Sequence, residues 1–161
     1  MRYINGSYDR QGFGAQDFAL VDGGMNNIRE LALMNAGLIR DEGSENPMNV
    51  EQLAERMAGF LKSGYIAKLV MIGRVTAGYC LYRMDNRIDG RGYDCFIRHF
   101  YIKPRFRNRG IGTEVFKRLS ENCFNKAVEI KVEVLESNPA GKAFWAKLGF
   151  VPYSYSLRKK L

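Results

Sequence analysis

The sequence predicts a single α/β domain in which a mixed sheet carries helices on both faces. Between Val128 and Val134, valine and isoleucine alternate with charged residues, a pattern typical of a half-buried strand. Apolar residues recur at helical spacing in residues 50–61 and again from Ile111 to Cys123. The length of 161 residues, of which 46% are apolar, suits one domain with one core.

The first half of the chain predicts one strand, two helices and a β-hairpin. Residues 1–16 are polar and rich in glycine without clear periodicity, so we expect a loosely ordered N-terminal segment before a domain at 17–161. The elements that follow are a strand at 18–21, a helix capped by Asn26 or Asn27 that Gly37 ends, a helix capped by Asn49, and hairpin strands at 66–72 and 77–83.

The second half predicts three strands and two helices. A loop at 85–92 separates them from the hairpin, and Pro104 ends the first of these strands because proline cannot donate to a ladder. In order, the elements are a strand at 94–103, a helix from Gly110 that buries Ile111, Val115, Leu119 and Cys123, a strand at 128–134, a helix opened by Asn138 and Pro139 and ended by Gly149, and a strand at 153–157.

The segment Arg107-Asn108-Arg109-Gly110-Ile111-Gly112-Thr113 predicts a pyrophosphate-binding turn between a strand and a helix. Its two glycines let the main chain approach a ligand closely. The start of the helix presents unpaired N–H groups and a partial positive charge to an anion. Arg107 and Arg109 add mobile charge to this cradle.

The charge of the chain is unevenly distributed. Residues 1–60 contain five basic and nine acidic residues, whereas residues 61–161 contain twenty basic and eight acidic ones, within a net charge of +8. A nucleic-acid-binding domain is not expected to divide in this way, so we expect no nucleic-acid partner. The distribution suits a basic half that holds a polyanionic cofactor and an acidic half that attracts a cationic co-substrate.

The cysteines and the apolar runs predict a cytoplasmic protein. Cys80, Cys95 and Cys123 are odd in number, far apart and in apolar segments, which favours reduced, buried thiols over disulfides or a metal site. No apolar run reaches the length of a membrane span, and residues 1–20 lack the apolar block of a signal peptide. We therefore expect neither membrane association nor a bound metal.

These motifs, over roughly residues 17–157, together resemble those of the GNAT superfamily of acyl-CoA-dependent N-acyltransferases. A glycine turn alone matches many unrelated proteins, but the combination in this order is specific. The motifs that carry the resemblance are Phe100-Tyr101-Ile102-Lys103-Pro104, then Arg107-x-x-Gly110-x-Gly112, then Val132-x-Val134, Asn138 and Phe144-Trp145-x-x-x-Gly149-Phe150, with the hairpin containing Gly78 before them.

The resemblance implies a mostly antiparallel sheet that is splayed at an acyl-CoA site, with acetyl-CoA as the cofactor. It implies that the backbone of Phe100 and Ile102 pairs with the pantetheine arm, and that the N–H near Phe100 polarises the thioester carbonyl as an oxyanion donor. Asn138 would meet the pantetheine amides, and Arg107, Arg109 or Lys142 would reach a phosphate. The cofactor-binding residues implied in this way are Phe100, Tyr101, Ile102, Arg107, Asn108, Arg109, Gly110, Ile111, Gly112, Thr113, Asn138, Lys142 and Phe144.

Two departures from the family pattern leave the catalytic acid and base open. Trp145 stands where many relatives carry a tyrosine that protonates the leaving thiolate, and an indole cannot supply a proton at neutral pH. Phe96 and Arg98 fill positions that often hold a glutamate base. His99, the single histidine of the chain, is a candidate to deprotonate an ammonium through water, since an ordinary imidazole pKa lies near 6.5. The alternative is a structural histidine packed against the sheet.

An acidic cluster in the first two helices and their loop is a candidate for attracting the acceptor. Its members are Asp41, Glu42, Glu45, Glu51 and Glu55. In the family this region usually borders the acceptor cleft, so these carboxylates would attract a polyamine-like, aminoglycoside-like or peptide amine. The alternative is a solvated loop and helix face.

We therefore expect an N-acetyltransferase that moves an acetyl group from acetyl-CoA to a primary amine of a small molecule by direct attack on the thioester. Transfer to a protein lysine or amino terminus is one alternative, and an acyl-CoA-binding module without catalysis is another. The sequence also allows a homodimer paired through an exposed carboxy-terminal strand.

Overall fold

The computed structural model describes residues 17–161, and the N-terminal segment predicted at 1–16 lies outside the described residues. Within that range the chain forms five strands and four α-helices. The strands are β1 (Ala19–Gly23), β2 (Ile66–Ile72), β3 (Val75–Asn86), β4 (Tyr93–Ile102) and β5 (Ala127–Val132). The helices are α1 (Ile28–Asp41), α2 (Val50–Lys62), α3 (Ile111–Asn122) and α4 (Pro139–Lys147). None of these helices is long and apolar enough to cross a bilayer.

The strands form one mixed sheet in the order β1-β2-β3-β4-β5. Neighbouring strands are antiparallel except β4 and β5, which run parallel. Leu31 of α1 and Met57 of α2 are fully buried against one face of the sheet, and Val115 of α3 and Trp145 of α4 are buried against the other. The predicted α/β fold with helices on both faces is confirmed.

Arg98 is an extra residue in β4. Ile97 and His99 pair with consecutive residues of β3, so Arg98 between them has no residue opposite. The bulge reverses the alternation of side chains along the strand. Ile97 packs against the face covered by α3 and α4, and after the bulge it is Phe100 that packs there, whereas Tyr101 packs against α1 and α2.

β4 and β5 separate after Ile97. Their pairing ends at that residue, whereas β4 continues to Ile102. The N–H of Lys103 donates to the carbonyl of Ala77 at 2.7 Å, and alternate residues of a strand direct their backbone groups to opposite sides. The backbone groups of Phe100 and Ile102 therefore face the open edge, and the predicted splaying of the sheet is confirmed.

Gly37 does not end the first helix, which corrects the sequence prediction. α1 continues to Asp41, and Gly37 is buried within it. A Cβ built on Gly37 would lie 2.4 Å from Oη and 2.8 Å from Cζ of Tyr101. The glycine is needed because the helix backbone passes directly over the tyrosine ring.

The strand predicted at 153–157 is also wrong. Tyr153, Tyr155 and Leu157 are at least 82% exposed, and no regular element follows α4. An alternating pattern forms a strand only where one face can be buried, and no neighbouring strand buries this one. Instead Arg158 and Lys160 pair with Glu45, at 3.0 and 3.4 Å, which holds the carboxy terminus beside the loop after α1.

Most other element predictions are confirmed. The side chain of Asn49 accepts a hydrogen bond from the N–H of Gln52 at 2.9 Å and caps α2 as expected. Cys80 and Cys95 are buried free thiols, and Cys123 is a half-buried one. Three further differences concern β3, α1 and β5. β3 runs from Val75 to Asn86 and is longer at both ends than the predicted 77–83. Asn27 occupies the N-cap of α1, but its side chain makes no capping hydrogen bond to that helix. β5 ends at Val132, because the parallel partner strand has by then diverged.

We predict opposite effects of alanine at two helical glycines. Gly37→Ala should lower the free energy of unfolding by about 1–3 kcal/mol, because the new methyl group overlaps the Tyr101 ring. Gly59→Ala in α2 should raise it by up to about 1 kcal/mol, because alanine favours helix and nothing lies within 4 Å of that Cβ. Urea denaturation of both variants measures this. Equal effects at the two positions would contradict the packing role of Gly37.

Candidate active site

The separation of β4 from β5 opens a cleft of about 530 Å³. The open edge of β4, the end of β5, the starts of α3 and α4 and the end of α1 all contribute to its walls. Of the cofactor residues predicted from the sequence, the cleft is lined by residues 100–102, 107–108 and 110–113, together with Asn138 and Phe144. The structure therefore brings together residues that are up to 44 positions apart in the sequence.

Two predicted phosphate contacts are not brought into the cleft. The ammonium of Lys142 forms an ion pair with Glu136 at 2.6 Å, and Lys142 is not a lining residue. Arg109 is exposed and likewise does not line the cleft. Both residues lie next to lining residues in the sequence, but their side chains belong to the outer surface of the cleft walls.

The loop from Arg107 to Thr113 turns through two residues in the left-handed region. Asn108 has φ 60° and Gly110 has φ 75°, a conformation that glycine and asparagine tolerate best. Gly110 is the N-cap of α3, and no side chain of the described chain caps this helix. The N–H groups of its first turn are consequently available to a ligand.

Arg107 joins this loop to both neighbouring elements. Its Nε donates to the carbonyl oxygen of Ile102 at 2.7 Å, and its guanidinium pairs with Asp41 at the end of α1. The same guanidinium lies 5.3 Å from the centroid of the Tyr101 ring. Much of its charge and hydrogen-bonding capacity is therefore used to hold the loop against β4 and α1.

Aromatic rings form the wall of the cleft beside α3 and α4. Phe100 and Phe144 are stacked with centroids 5.5 Å apart, and Trp145 lies edge-on to Phe100 at 5.4 Å. Gly112 keeps this wall close to the loop, because a Cβ there would lie 3.2 Å from the Phe144 ring. Trp145 is 7% exposed and lines the cleft as a packing residue.

Asn138 opens α4, as predicted, and also lines the cleft. Its side-chain oxygen accepts a hydrogen bond from the N–H of Gly141 at 2.8 Å and caps α4. This bond fixes the orientation of the amide in the cleft wall. The side-chain NH₂ group remains as a donor for a ligand.

His99 lies on the other face of the sheet from Phe100 and is not a lining residue of the cleft. It is 7% exposed, its Nδ1 is 3.1 Å from Oη of the buried Tyr79, and its ring packs edge-on against Phe60. Burial, with the charges of Arg56 and Arg98, lowers the pKa of His99 to about 3. A group of such low basicity is poorly suited to take a proton from an ammonium, and the geometry fits the structural alternative.

Glu42 is, with Asp41, one of two carboxylates on the α1 side of the cleft. It is half-buried at the end of α1 and lines the cleft together with Arg98. Burial raises the pKa of Glu42, and the nearby charge of Arg56 opposes that shift. Ser137 in the loop before α4 donates to the Glu42 carbonyl oxygen at 2.6 Å, which joins the two walls of the cleft at this point.

The five acidic residues that the sequence groups together do not act as one surface. Asp41 pairs with Arg107, Glu45 pairs with two residues of the carboxy terminus, and Glu51 and Glu55 are exposed on α2 away from the cleft. Glu42 lines the cleft, and burial raises the pKa of its carboxyl group. The sequence contains no signal that separates Glu42 from its neighbours, because the shift in its pKa depends on burial and on Arg56, which is distant in sequence.

A family model and two named relatives match the chain. The model of the acetyltransferase (GNAT) family matches residues 38–150. Thialysine N-epsilon-acetyltransferase of Mus musculus is 25% identical over 135 residues, which cover 78% of this chain and 75% of that enzyme. The enzyme of the same name from Bos taurus is 27% identical over 78 residues, which cover 48% of this chain and 45% of that enzyme. The chain thus matches less than half the length of the bovine relative.

The fold is similar to that of several solved structures. A possible acetyltransferase from Clostridium difficile 630 has a TM-score of 0.73 at 17% identity, covering 89% of this chain and 97% of that one. A predicted acetyltransferase with acetyl-CoA from Clostridium acetobutylicum has a TM-score of 0.70 at 17% identity, covering 89% and 96%. Ribosomal-protein-alanine N-acetyltransferase from Brucella melitensis biovar Abortus 2308 has a TM-score of 0.73 at 10% identity, covering 89% and 99%. At these identities the likeness concerns the fold alone.

We predict that His99 makes the stability of the protein depend on pH. Because burial lowers its folded-state pKa below the ordinary imidazole value near 6.5, the stability it contributes is fully present above that value. It is lost as the pH falls, since the unfolded chain then takes a proton that the native state excludes. Urea denaturation between about pH 7 and pH 5 should show this loss, and His99→Gln should reduce it.

The imidazole signal gives an independent measurement of the same effect. His99 is the single histidine of the chain, so its NMR signal needs no assignment by mutation. In the folded protein it should keep the chemical shift of the neutral ring down to about pH 5. A native imidazole that titrates near 6.5 would contradict the burial.

Proposed function

We propose that this chain, which belongs to the acetyltransferase (GNAT) family, transfers the acetyl group of acetyl-CoA to a primary amine of a small molecule. In the reaction the amine nitrogen bonds to the acetyl carbon as the bond from that carbon to sulfur breaks. The amine gives up a proton, and coenzyme A leaves as a thiol. The observation that carries the proposal is the open edge of β4 next to the uncapped start of α3.

The open edge of β4 supports binding of the pantetheine arm. Phe100 offers both its N–H and its carbonyl group there, and Ile102 offers its N–H, since its carbonyl already accepts from Arg107. An extended ligand with amide groups binds such an edge as an added strand would. The NH₂ group of Asn138 on the facing wall supplies a further donor.

The loop from Arg107 to Thr113 supports binding of the pyrophosphate. The positive φ of Gly110 and the absence of a capping side chain in the described chain leave backbone N–H groups at the start of α3 free. The helix dipole and these donors favour an anion at this position. A side chain at Gly112 would contact Phe144, so the close approach of the loop to the cleft wall also depends on glycine.

The N–H of Phe100 is the oxyanion donor in this proposal. It lies in an apolar wall made of Phe100, Phe144 and Trp145, and a hydrogen bond to developing charge is stronger in apolar surroundings than in water. A preorganised donor of this kind typically contributes about 10²–10³ in rate. Its position is fixed because the adjacent residues pair with β3.

Glu42 is the residue that we propose as the base. An amine enters as an ammonium and must lose a proton before its nitrogen can attack. Glu42 lines the cleft, and its raised pKa makes it a stronger base than an ordinary carboxylate. Trp145 supplies no proton, and a thiolate with an ordinary pKa near 8.5 can leave and take its proton from water.

A small-molecule acceptor is supported by the named relatives. Both are thialysine N-epsilon-acetyltransferases, which are named for an amine on a small molecule. The proposal is tested by thiol release from acetyl-CoA across a panel of primary amines that includes peptides. Turnover with peptides alone would show that the acceptor is a protein and not a small molecule. Absence of turnover with every amine would refute the proposed acetyltransferase function.

We predict that alanine at Gly110 weakens binding of coenzyme A. Both Gly110→Ala and Gly73→Ala place a side chain at positive φ, so each should lose about 1–2 kcal/mol of stability. Only Gly110→Ala should also raise the Kd for coenzyme A, by about tenfold or more. The new side chain would shift the backbone N–H groups at the start of α3 that donate to the pyrophosphate. Isothermal titration of the two variants measures this. Equal Kd values in both variants would contradict the role of the loop.

We predict that Glu42→Gln lowers kcat by about 10²–10⁴-fold, because the amide cannot accept the proton. The Kd for coenzyme A should not change. The acidic limb of the wild-type pH profile, which reports protonation of the base, should disappear. Glu51→Gln on the exposed first turn of α2 is the matched control and should keep wild-type turnover. A variant at Glu42 with wild-type kcat would show that the base lies elsewhere.

A further inference from the structure

We propose that the acceptor amine also carries a carboxylate and that Arg98, with Arg56, binds this carboxylate. The enzyme would then be selective for amines of the amino-acid type. This inference rests on the proposed function, because it concerns the acceptor side of the same cleft. It narrows the acceptor from primary amines in general to amines that carry an anionic group.

Arg98 has a positive charge that no carboxylate of the described chain neutralises. Its Nε is buried and has no hydrogen-bond partner among residues 17–161. Its guanidinium carbon lies 4.6 Å from the centroid of Phe60 and 5.9 Å from that of Tyr65. The bulge in β4 places Arg98 at the point where the two strands separate, so the residue lines the cleft. A buried N–H group without a hydrogen-bond partner costs free energy, and a ligand that accepts from it removes that cost.

Arg56 of α2 is not itself a lining residue of the cleft, but its guanidinium packs on the same aromatic ring as that of Arg98. Its guanidinium carbon lies 5.2 Å from the centroid of the Phe60 ring, against which Arg98 also packs. Burial lowers the pKa of Arg56, the charge of Arg98 lowers it further, and the charge of Glu42 opposes both. The two guanidiniums and the Glu42 carboxylate thus interact on this side of the sheet, and the sum of these three charges is positive. Of the other carboxylates that line the cleft, Asp41 is paired with Arg107, and Glu133 lies just after the end of β5.

The geometry of these groups fits an acceptor with charges of both signs. A guanidinium presents parallel N–H groups that match the two oxygens of a carboxylate. Glu42 and Arg98 line one cleft, so an ammonium can approach the first while a carboxylate of the same molecule meets the second. A polyamine would place a second ammonium against two guanidiniums, which repels it. The local charge therefore favours an amino acid over a polycation.

The test compares pairs of acceptors that differ in one carboxylate. Lysine, glycine and other amino acids are each assayed beside the corresponding amide, which keeps the amine but removes the negative charge. For accepted amines, we expect kcat/KM to be about 10- to 100-fold higher with the free carboxylate. Arg98→Gln should bring this ratio close to one. Arg74→Gln, an exposed residue in the β2–β3 turn, should keep the wild-type ratio.

Other outcomes separate this inference from the proposed function. Amides accepted as well as, or better than, the free amino acids would overturn the inference and leave the acetyltransferase function intact. If Arg98→Gln lowers kcat/KM equally for the amino acid and for its amide, the inference is also overturned, because an equal loss indicates general damage to the site. A raised Kd for coenzyme A in Arg98→Gln would assign the arginine to the cofactor and overturn it as well.

A second variant and a binding measurement test the same carboxylate site. If Arg98→Gln unfolds, Arg56→Gln with a melting curve replaces it, and the same fall in the ratio is expected. Isothermal titration of amino acids into the protein saturated with coenzyme A measures binding without turnover. Absence of binding by every amino acid would overturn the inference, whereas absence of turnover with every amine would refute the proposed function.

Discussion

The separation of β4 from β5 is the constraint on which the site depends. A sheet normally pairs the backbone groups of its strands, and unpaired groups within a protein must be satisfied in another way. Here the pairing ends at Ile97, while β4 continues to Ile102 with an open edge. Every other feature of the cleft, including the aromatic wall and the loop before α3, is arranged around this edge.

Arg107 couples the two sides of the cleft. Through the carbonyl of Ile102 and the carboxylate of Asp41, it joins the loop before α3 to β4 and to the end of α1. Glu42 follows Asp41 directly and is held to the opposite wall through Ser137. The loop is therefore linked, through Arg107 and Asp41, to the residue that we propose as the base. The anion-binding loop and the acceptor side form one connected unit.

Local patterns in the sequence are sufficient to predict most helices and strands and the loop before α3. They do not predict the acceptor side of the cleft. The turn at 107–113 and the Asn49 cap depend on residues close together in the chain, so their patterns are visible directly. Gly37 resembles a helix end because its contact, Tyr101, is distant in sequence. The bulge at Arg98 is also invisible, since regular alternation would place His99 on the same face as Ile97. Where a residue's position depends on contacts with residues distant in sequence, it can be assigned only from the folded structure.

The uneven charge of the chain is a weaker guide to the acceptor than the few charges inside the cleft. Asp41 and Glu45 are acidic residues of the first half, but basic residues of the second half pair with them. Exposed charges are also screened over about 10 Å at ordinary ionic strength. Arg98, Arg56 and Glu42 are partly buried and act on one another over short distances. The sum of these three charges is positive, which is why we propose an acceptor with a carboxylate and not the polycation that the acidic half would suggest.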